Sequence, residues 1–235
     1  MPDATPWFAV RQLQKGDTRA VQQLFKDGML ETVVPGVLRE LARHSSGRPA
    51  ALAAGMLGIG ALAGRPAVAA GVGLATAALA VASSQFVARR YIAQSLRNDM
   101  ADPVQHYVLN ERNNFFVATR KVDGQVVGTV AVEGVTPRAQ AQAKRRKEPH
   151  RWSEGDAELR RMSVQLEARG RGVAEALCEA VQRHARDQGY SRVVLSTSSM
   201  QAQAARRLYP RMGYEVVHRA RMMGDVEVFY MARAP

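Results

Sequence analysis

Residues Glu158–Leu177 read ELRRMSVQLEARGRGVAEAL, and this stretch decides the fold. A strand-like run leads into a turn rich in Gly and Arg, and a helical pattern begins near Val173. Gly170 and Gly172 let the backbone approach a ligand without a Cβ clash, and the N–H groups at the helix start point to the same place. The stretch therefore predicts a strand, an anion-binding turn and a helix, with a pyrophosphate as the natural ligand.

The composition limits the classes of function. The chain has 235 residues, enough for one full core and an insertion of about 40 to 50 residues. Its 33 Lys and Arg residues outnumber 21 Asp and Glu residues, and the net charge of +12 favours an anionic partner. The single cysteine, Cys178, excludes an internal disulfide, and the five histidines lack metal-ligand spacing. No metal is therefore expected.

The remaining apolar patterns predict an α/β domain with a mixed sheet. Two strands joined by an Asp-Gly turn form a hairpin before Glu158–Leu177, and further strands and a helix follow that stretch. Alternation of strands and helices is typical of a two-layer or three-layer sandwich. The predicted strands outside Glu158–Leu177 are Trp7–Leu13, Asn114–Arg120, Gln125–Val132, Arg192–Thr197, Tyr214–Arg219 and Val226–Ala232, and the last predicted helix is Gln201–Arg211.

Residues 50–88 form a hydrophobic region whose only charge is Arg65. It divides at Pro66 into residues 50–64 and 67–88, and a membrane-spanning helix needs about 20 apolar residues. Two interpretations are open: a buried helical pair in a soluble protein, or a membrane hairpin or re-entrant segment bent at the proline. Arginines on both flanks favour the membrane hairpin with both ends on the cytoplasmic side. They are Arg39, Arg43, Arg48, Arg89 and Arg90.

Pro137–Arg151 is strongly basic and is expected to be a loop. One interpretation is a solvated mobile loop, and the other is a loop that contacts lipid phosphates or an anionic ligand. The loop lacks interleaved aromatic residues for base stacking, so nucleic acid is not an expected partner.

A second motif makes the functional interpretation of the glycine turn more specific. Arg169–Ala174 fits the pattern [Arg/Gln]-x-x-Gly-x-[Gly/Ala], and Ala205–Tyr214 fits A-x-x-L-Y-x-x-x-G-[FY]. Together the two motifs resemble the GNAT superfamily of N-acetyltransferases. The resemblance implies a GNAT-type mixed sheet flanked by helices, with acetyl-CoA as co-substrate and no metal. It assigns cofactor binding to Val164, Arg169, Gly170, Arg171, Gly172, Val173 and Ala174. Where many family members have Asn, seven residues before the Tyr, this chain has Ala202, and Gln203 is expected to substitute as a cofactor-binding residue.

A closer resemblance, to the camello-like membrane-anchored branch, covers nearly the whole chain. Its motifs include Asn98–Asp102, Glu158–Val164 and Ala185–Ser191. It implies a hydrophobic helical-hairpin insertion after the first strand and helices. Membrane localisation follows, in the endoplasmic reticulum with a cytoplasmic catalytic domain, or in the inner membrane of a bacterium. The expected division is 1–48 for the N-terminal strand and helices, 49–90 for the membrane hairpin, and 91–235 for the rest of the acetyltransferase domain with the acetyl-CoA site.

The resemblance predicts acetyl transfer to the α-amino group of a small amino acid or cysteine S-conjugate at a membrane surface, with a small amine and membrane lipid as partners. Tyr209 is the expected general acid, unless it only packs against the cofactor. Glu158 is the candidate base, and Arg160 on the same strand face would bind a substrate carboxylate, unless the two form a structural ion pair. The alternatives are a protein lysine N-acetyltransferase and a non-catalytic, membrane-bound basic binding module.

Overall fold

A seven-stranded mixed sheet forms the centre of the computed structural model, which describes residues 6–43, 66–201, 203–222 and 226–235. The strands are β1 (Phe8–Gln12), β2 (Asn114–Arg120), β3 (Val126–Gly134), β4 (Asp156–Val164), β5 (Arg192–Ser198), β6 (Glu215–Met222) and β7 (Val226–Arg233). Their order is β1-β2-β3-β4-β5-β7-β6, and β4 with β5 is the parallel pair. The predicted α/β class and mixed sheet are confirmed.

Helices cover both faces of this sheet. Within the described residues the α-helices are α1 (Thr18–Arg43), α2 (Pro66–Arg97), α3 (Pro137–Arg145), α4 (Val173–Asp187) and α5 (Gln203–Arg211). Residues Glu158–Leu177 therefore fold as their pattern predicts, as strand β4, a turn and the start of helix α4.

Helix α4 packs closely on one face of the sheet. Its apolar residues recur at helical spacing, so that Val173 and Leu177 lie side by side and are buried. A Cβ on Gly128 of β3 would lie 2.7 Å from a methyl of Val173 and 3.0 Å from one of Leu177. A glycine at this position thus permits the close approach of helix and sheet, which fixes where α4 begins.

Helix α1 packs on the opposite face. The hydroxyl of Ser163 in β4 donates a hydrogen bond to the Leu24 carbonyl oxygen at 3.0 Å, and a Cβ on Gly28 would come within 2.2 Å of that hydroxyl. Phe25 and Val21 of the same helix belong to a second hydrophobic core, separate from the core under α4.

A β-bulge interrupts β4. The register against β3 shifts between Thr129 and Ala131, and Arg161 adopts a positive φ of 55°. The Thr129 hydroxyl donates a hydrogen bond to the Arg161 carbonyl oxygen at 2.9 Å, which holds the bulge. Because the bulge adds one residue, Arg160 and Arg161 both point toward the α1 side of the sheet.

The two parallel strands separate soon after they pair. Their register covers Asp156–Glu158 against Arg192–Val194 and ends there. Beyond it, β4 continues to Val164 and β5 to Ser198 with no pairing between them. The facing edges leave backbone N–H and C=O groups available to a ligand.

The basic segment after β3 differs from its prediction. Pro137–Arg151 was expected to be a loop, but its first nine residues form helix α3. The Thr136 hydroxyl caps this helix by accepting a hydrogen bond from the Ala139 N–H at 3.2 Å, and Pro137 occupies the first turn. The basic composition suggested a loop, although Thr136 and Pro137 are typical of the start of a helix.

The predicted membrane localisation is wrong. Residues 67–88 lie in α2, and no helix among the described residues is both long enough and apolar enough to cross a membrane. The many Ala and Gly residues of this region are only weakly hydrophobic, which explains the difference. Residues 50–64, the other arm of the expected hairpin, lie outside the described residues. The division at residues 48 and 90 stays a prediction, and residue 90 falls inside α2.

Candidate active site between the separated strands

A cleft of about 960 Å³ opens where β4 and β5 separate. It contains most of the residues that the sequence predicted for the site. The side chain of Gln203 lies outside the described residues, and Arg171 and Gly172 do not line the cleft. The predicted residues that do line it are Glu158, Arg160, Val164, Arg169, Gly170, Val173, Ala174 and Tyr209.

The turn before α4 presents backbone groups toward this cleft. Gly170 and Gly172 have φ values of 69° and 81°, a conformation that favours glycine. A Cβ on either residue would meet nothing within 4 Å, so backbone conformation and not crowding selects glycine here. No side chain of the described residues caps the start of α4. The free N–H groups and the positive helix end suit a phosphate.

The two arginines of the turn are engaged elsewhere. Arg169 forms a two-bond ion pair with Glu31 of α1 at 2.7 and 2.8 Å and donates to the Val164 carbonyl oxygen at 2.9 Å. The guanidinium of Arg171 lies over the Trp7 ring, 4.0 Å from its centre. Both guanidinium groups therefore have protein partners in the structure, and the backbone N–H groups of the turn are candidate anion-binding groups.

Tyr209 of α5 lies at the edge of the cleft and is 5% exposed. Its ring packs edge-on against Tyr214 at 5.7 Å. Burial raises the pKa of the Tyr209 phenol well above its usual value, with smaller contributions from Cys178 and Tyr214. The phenol therefore stays protonated at neutral pH and can act as a proton donor.

A set of charged residues lies on the α1 side of β4 and β3. Glu158 lies 3.9 Å from Arg160, which also forms an ion pair at 2.5 Å with Glu133. The other oxygen of Glu133 lies 3.2 Å from Nε2 of His106. Neither Glu133 nor His106 was predicted from the sequence as a site residue. Glu133 faces Glu158 directly across the β3–β4 ladder, a relation that appears only once the register is known.

The two carboxylates of this set have opposite pKa shifts. Burial is the main cause that raises the pKa of Glu158, and Glu133 adds to it while Arg160 opposes it. Burial also disfavours the Glu133 carboxylate, but His106 and Arg160 outweigh it and lower the pKa. The pKa of His106 rises mainly through its hydrogen bond to Glu133. Glu158 is thus the carboxylate more ready to accept a proton.

Arg161 forms a separate ion pair that is buried. It binds both oxygens of Asp99 at 2.7 and 2.8 Å, and the Tyr107 hydroxyl donates to the same carboxylate at 2.5 Å. Its remaining nitrogen donates to the Tyr91 hydroxyl at 2.9 Å. This arrangement joins β4 to the end of α2 and is a structural contact. Within the described ranges, no three His, Cys, Asp or Glu side chains lie close enough together to hold a metal ion.

A separated pair of parallel strands, a glycine turn before a helix and a buried tyrosine define an acyltransferase type of site. A sequence profile described as the acetyltransferase (GNAT) family matches residues 81–214, more than half of the chain. The chain belongs to this family, whose co-substrate is acetyl-CoA. The predicted family and co-substrate are confirmed.

Curated relatives agree with this membership. The chain is 41% identical to N-acetyltransferase 8F1 of Rattus norvegicus over 127 residues, which are 54% of this chain and 50% of that protein. It is 31% identical to N-acetylaspartate synthetase of Homo sapiens over 207 residues, 87% of this chain and 61% of that protein. The chain spans about half the length of the first of these relatives.

Solved structures show the same fold. A GCN5-related N-acetyltransferase from Kribbella flavida superimposes with a TM-score of 0.54 at 15% identity, covering 97% of this chain and 98% of that one. The PaiA N-acetyltransferase from Thermoplasma acidophilum, solved with coenzyme A, gives 0.52 at 13% identity, with 97% and 99% covered.

Proposed function

We propose that the protein transfers the acetyl group of acetyl-CoA to the α-amino group of a small amino acid or cysteine S-conjugate. The observation that carries the proposal is that Glu158 and Tyr209 line one cleft, between the open edges of β4 and β5. A base for the amine and an acid for the leaving thiolate are the two proton-transfer groups that the reaction needs.

The acetyl-CoA end of the cleft is supported by the glycine turn and the open strand edges. The N–H groups around Gly170 and the start of α4 would bind the pyrophosphate oxygens, and the β4 edge near Val164 would bind the pantetheine arm. When bound, acetyl-CoA supplies the acetyl group as a thioester, whose C–S bond breaks as the new C–N bond forms. Tyr209 would give its proton to the departing sulfur.

The amine end is supported by the charged set on β4. Glu158 would remove the proton that the amine nitrogen loses, since its raised pKa brings its basicity closer to neutral pH. Arg160 would contact the substrate carboxylate while keeping Glu133 as its second partner. Both residues lie on the same strand face, two positions apart, as a shared substrate requires.

The test is CoA release from acetyl-CoA with a panel of amines, comparing the native protein with Tyr209→Phe. We expect Tyr209→Phe to lower kcat by about 100-fold because the thiolate loses its proton donor. Tyr214→Phe is the matched control, since its ring contacts Tyr209 but it does not line the cleft, and its hydroxyl instead accepts from Gln182 at 2.8 Å.

Three outcomes would contradict the proposal or a part of it. Absence of both acetyl-CoA binding and CoA release on every amine would exclude the enzymatic function. Equal loss of activity in Tyr209→Phe and Tyr214→Phe would assign Tyr209 to packing. A lysine peptide in the same panel, preferred over every free amino acid, would instead favour a protein acetyltransferase.

A further inference from the structure

Four aromatic rings meet at one side of the cleft, and the proton transfers described above use none of them. His150 stacks on His218 with ring centres 5.1 Å apart and planes 19° from parallel. Trp152 lies 4.6 Å from His150, and Tyr230 lies 5.1 Å from His150 and 5.7 Å from Trp152. We call His150, Trp152, His218 and Tyr230 the aromatic cluster.

The aromatic cluster is not part of a hydrophobic core. Its members belong to neither of the two cores in the described residues, and three of them line the cleft. His150, Trp152 and His218 are only partly buried. The ring nitrogens of the two histidines form no hydrogen bond with another described residue. The cluster therefore presents ring faces at the cleft, and its imidazole nitrogens have no hydrogen-bond partner among the described residues.

The sheet register puts the cluster on the same face as the candidate base. Glu158 pairs with Val194, and Val194 pairs with Ala232 on β7. Directly paired residues share a face, as do residues two apart on a strand, so Tyr230 lies on the face that carries Glu158. His218 pairs with Tyr230 and shares that face. The cluster thus lies beside the amine end of the cleft.

Electrostatics agree with this placement. Burial raises the pKa of Tyr230, and Glu158 is among the carboxylates that raise it further. Burial lowers the pKa of His150, and His218 and Arg192 lower it further. The stacked and edge-on rings of the cluster suit a planar aromatic ligand.

We propose that the aromatic cluster binds the side chain of the acceptor amine and selects a planar aromatic side chain. This inference rests on the proposed function and deepens it by naming the substrate class. An amino acid whose amine lies at Glu158 would extend its side chain along the same face to Tyr230 and His218. Trp152 and His150, from the segment between α3 and β4, already contact Tyr230 and His218, so the ligand ring would pack on the open side of the cluster and not between its members.

The experiment compares kcat/KM for phenylalanine, cyclohexylalanine, alanine, aspartate and lysine at saturating acetyl-CoA. Cyclohexylalanine matches phenylalanine in size but lacks a planar ring. We expect phenylalanine to be the best acceptor, and Trp152→Ala to lower its kcat/KM by about tenfold with alanine unchanged. Trp152→Phe should restore most of the loss. Phe86→Ala is the control, because Phe86 is an exposed aromatic residue of α2 that does not line the cleft.

The outcomes separate this inference from the function on which it rests. Equal kcat/KM for phenylalanine and cyclohexylalanine, or a preference for aspartate or lysine, overturns the aromatic class while acetyl transfer stands. If no amine is acetylated, the proposed function fails, and fluorescence decides about the cluster. The chain has two tryptophans, so a Trp7→Phe variant reports on Trp152 alone. A fluorescence change with N-acetylphenylalanine supports the cluster as a binding site, and no change overturns it.

Discussion

Arg160 and Arg161 are neighbours in the sequence and point to the same side of the sheet, yet their surroundings differ. Arg161 is buried and has both carboxylate oxygens of Asp99 and a tyrosine hydroxyl as partners. Arg160 lines the cleft, where it shares its charge between Glu133 at 2.5 Å and Glu158 at 3.9 Å. One pair is complete without a ligand, and the other leaves a carboxylate only loosely paired.

The pKa shifts of Asp99 and Glu158 show that the two carboxylates affect folding stability in opposite directions as pH changes. Burial disfavours the Asp99 carboxylate, but Arg161 outweighs it and lowers the pKa, so this pair stabilises the fold above the ordinary Asp pKa and loses its effect as pH falls. The pKa of Glu158 is raised, so its ionisation costs folding stability as pH rises above the ordinary Glu value. A group whose ionised form costs stability in the folded state is typical of a site for chemistry.

The largest effect should come from breaking the buried pair. Asp99→Ala leaves the Arg161 guanidinium buried without its carboxylate, and we expect the free energy of unfolding to fall by about 3 to 5 kcal/mol in urea titrations. The matched control is Asp123→Ala, whose pair with Arg120 is exposed and should leave the urea midpoint unchanged. A midpoint for Asp99→Ala equal to that of the control would mean that Arg161 does not depend on Asp99.

A smaller but functional effect should follow from Glu158→Gln. We expect kcat to fall by about 100-fold because the amine loses its base, with no loss of stability at neutral pH. In the native protein kcat should rise with pH through the raised pKa of Glu158, since the base must be ionised, and this rise should be absent from the variant. Glu179→Gln, an exposed glutamate on α4, is the control. A pH profile that is the same with and without Glu158 would exclude it as the base.

The smallest effect should come from Glu133→Gln, which changes the partner of the base. Glu133 raises the pKa of Glu158 and holds Arg160, so its loss should lower the pKa of Glu158. We expect the rise of kcat with pH to move down by about one pH unit, with roughly threefold lower kcat above it. An unmoved profile would show that Glu133 serves only to hold Arg160 in place.

Local patterns were enough to predict the centre of the fold. Strand β4, the glycine turn and helix α4 depend on the spacing of apolar residues and on Gly170 and Gly172, which a sequence shows directly. The pairing of β4 with β3 also kept Glu158 and Arg160 on one face, because both precede the bulge. Most residues to which we assign a role in acetyl transfer could therefore be predicted from the sequence.

What was missed depends on contacts between distant segments. Arg161 has its partner 62 residues earlier, and the bulge that turns it toward Asp99 leaves no signal in a strand pattern. Arg169 pairs with Glu31, 138 residues earlier, a contact that no local pattern indicates, and its cofactor-binding role stays a prediction. His150 and His218 come from different parts of the chain and form a cluster only through the fold. Amphipathic patterns cannot show such pairings.

The short parallel pairing between β4 and β5 has a consequence for cohesion. Three residue pairs are the only backbone ladder that connects strands β1–β4 with β5–β7 in the described sheet. A ligand that forms hydrogen bonds with both open edges would extend this connection. Part of its binding free energy would then stabilise the contact between strands β1–β4 and strands β5–β7. Acetyl-CoA would then act as a structural member of the sheet, and melting temperature would rise with its concentration as mass action requires.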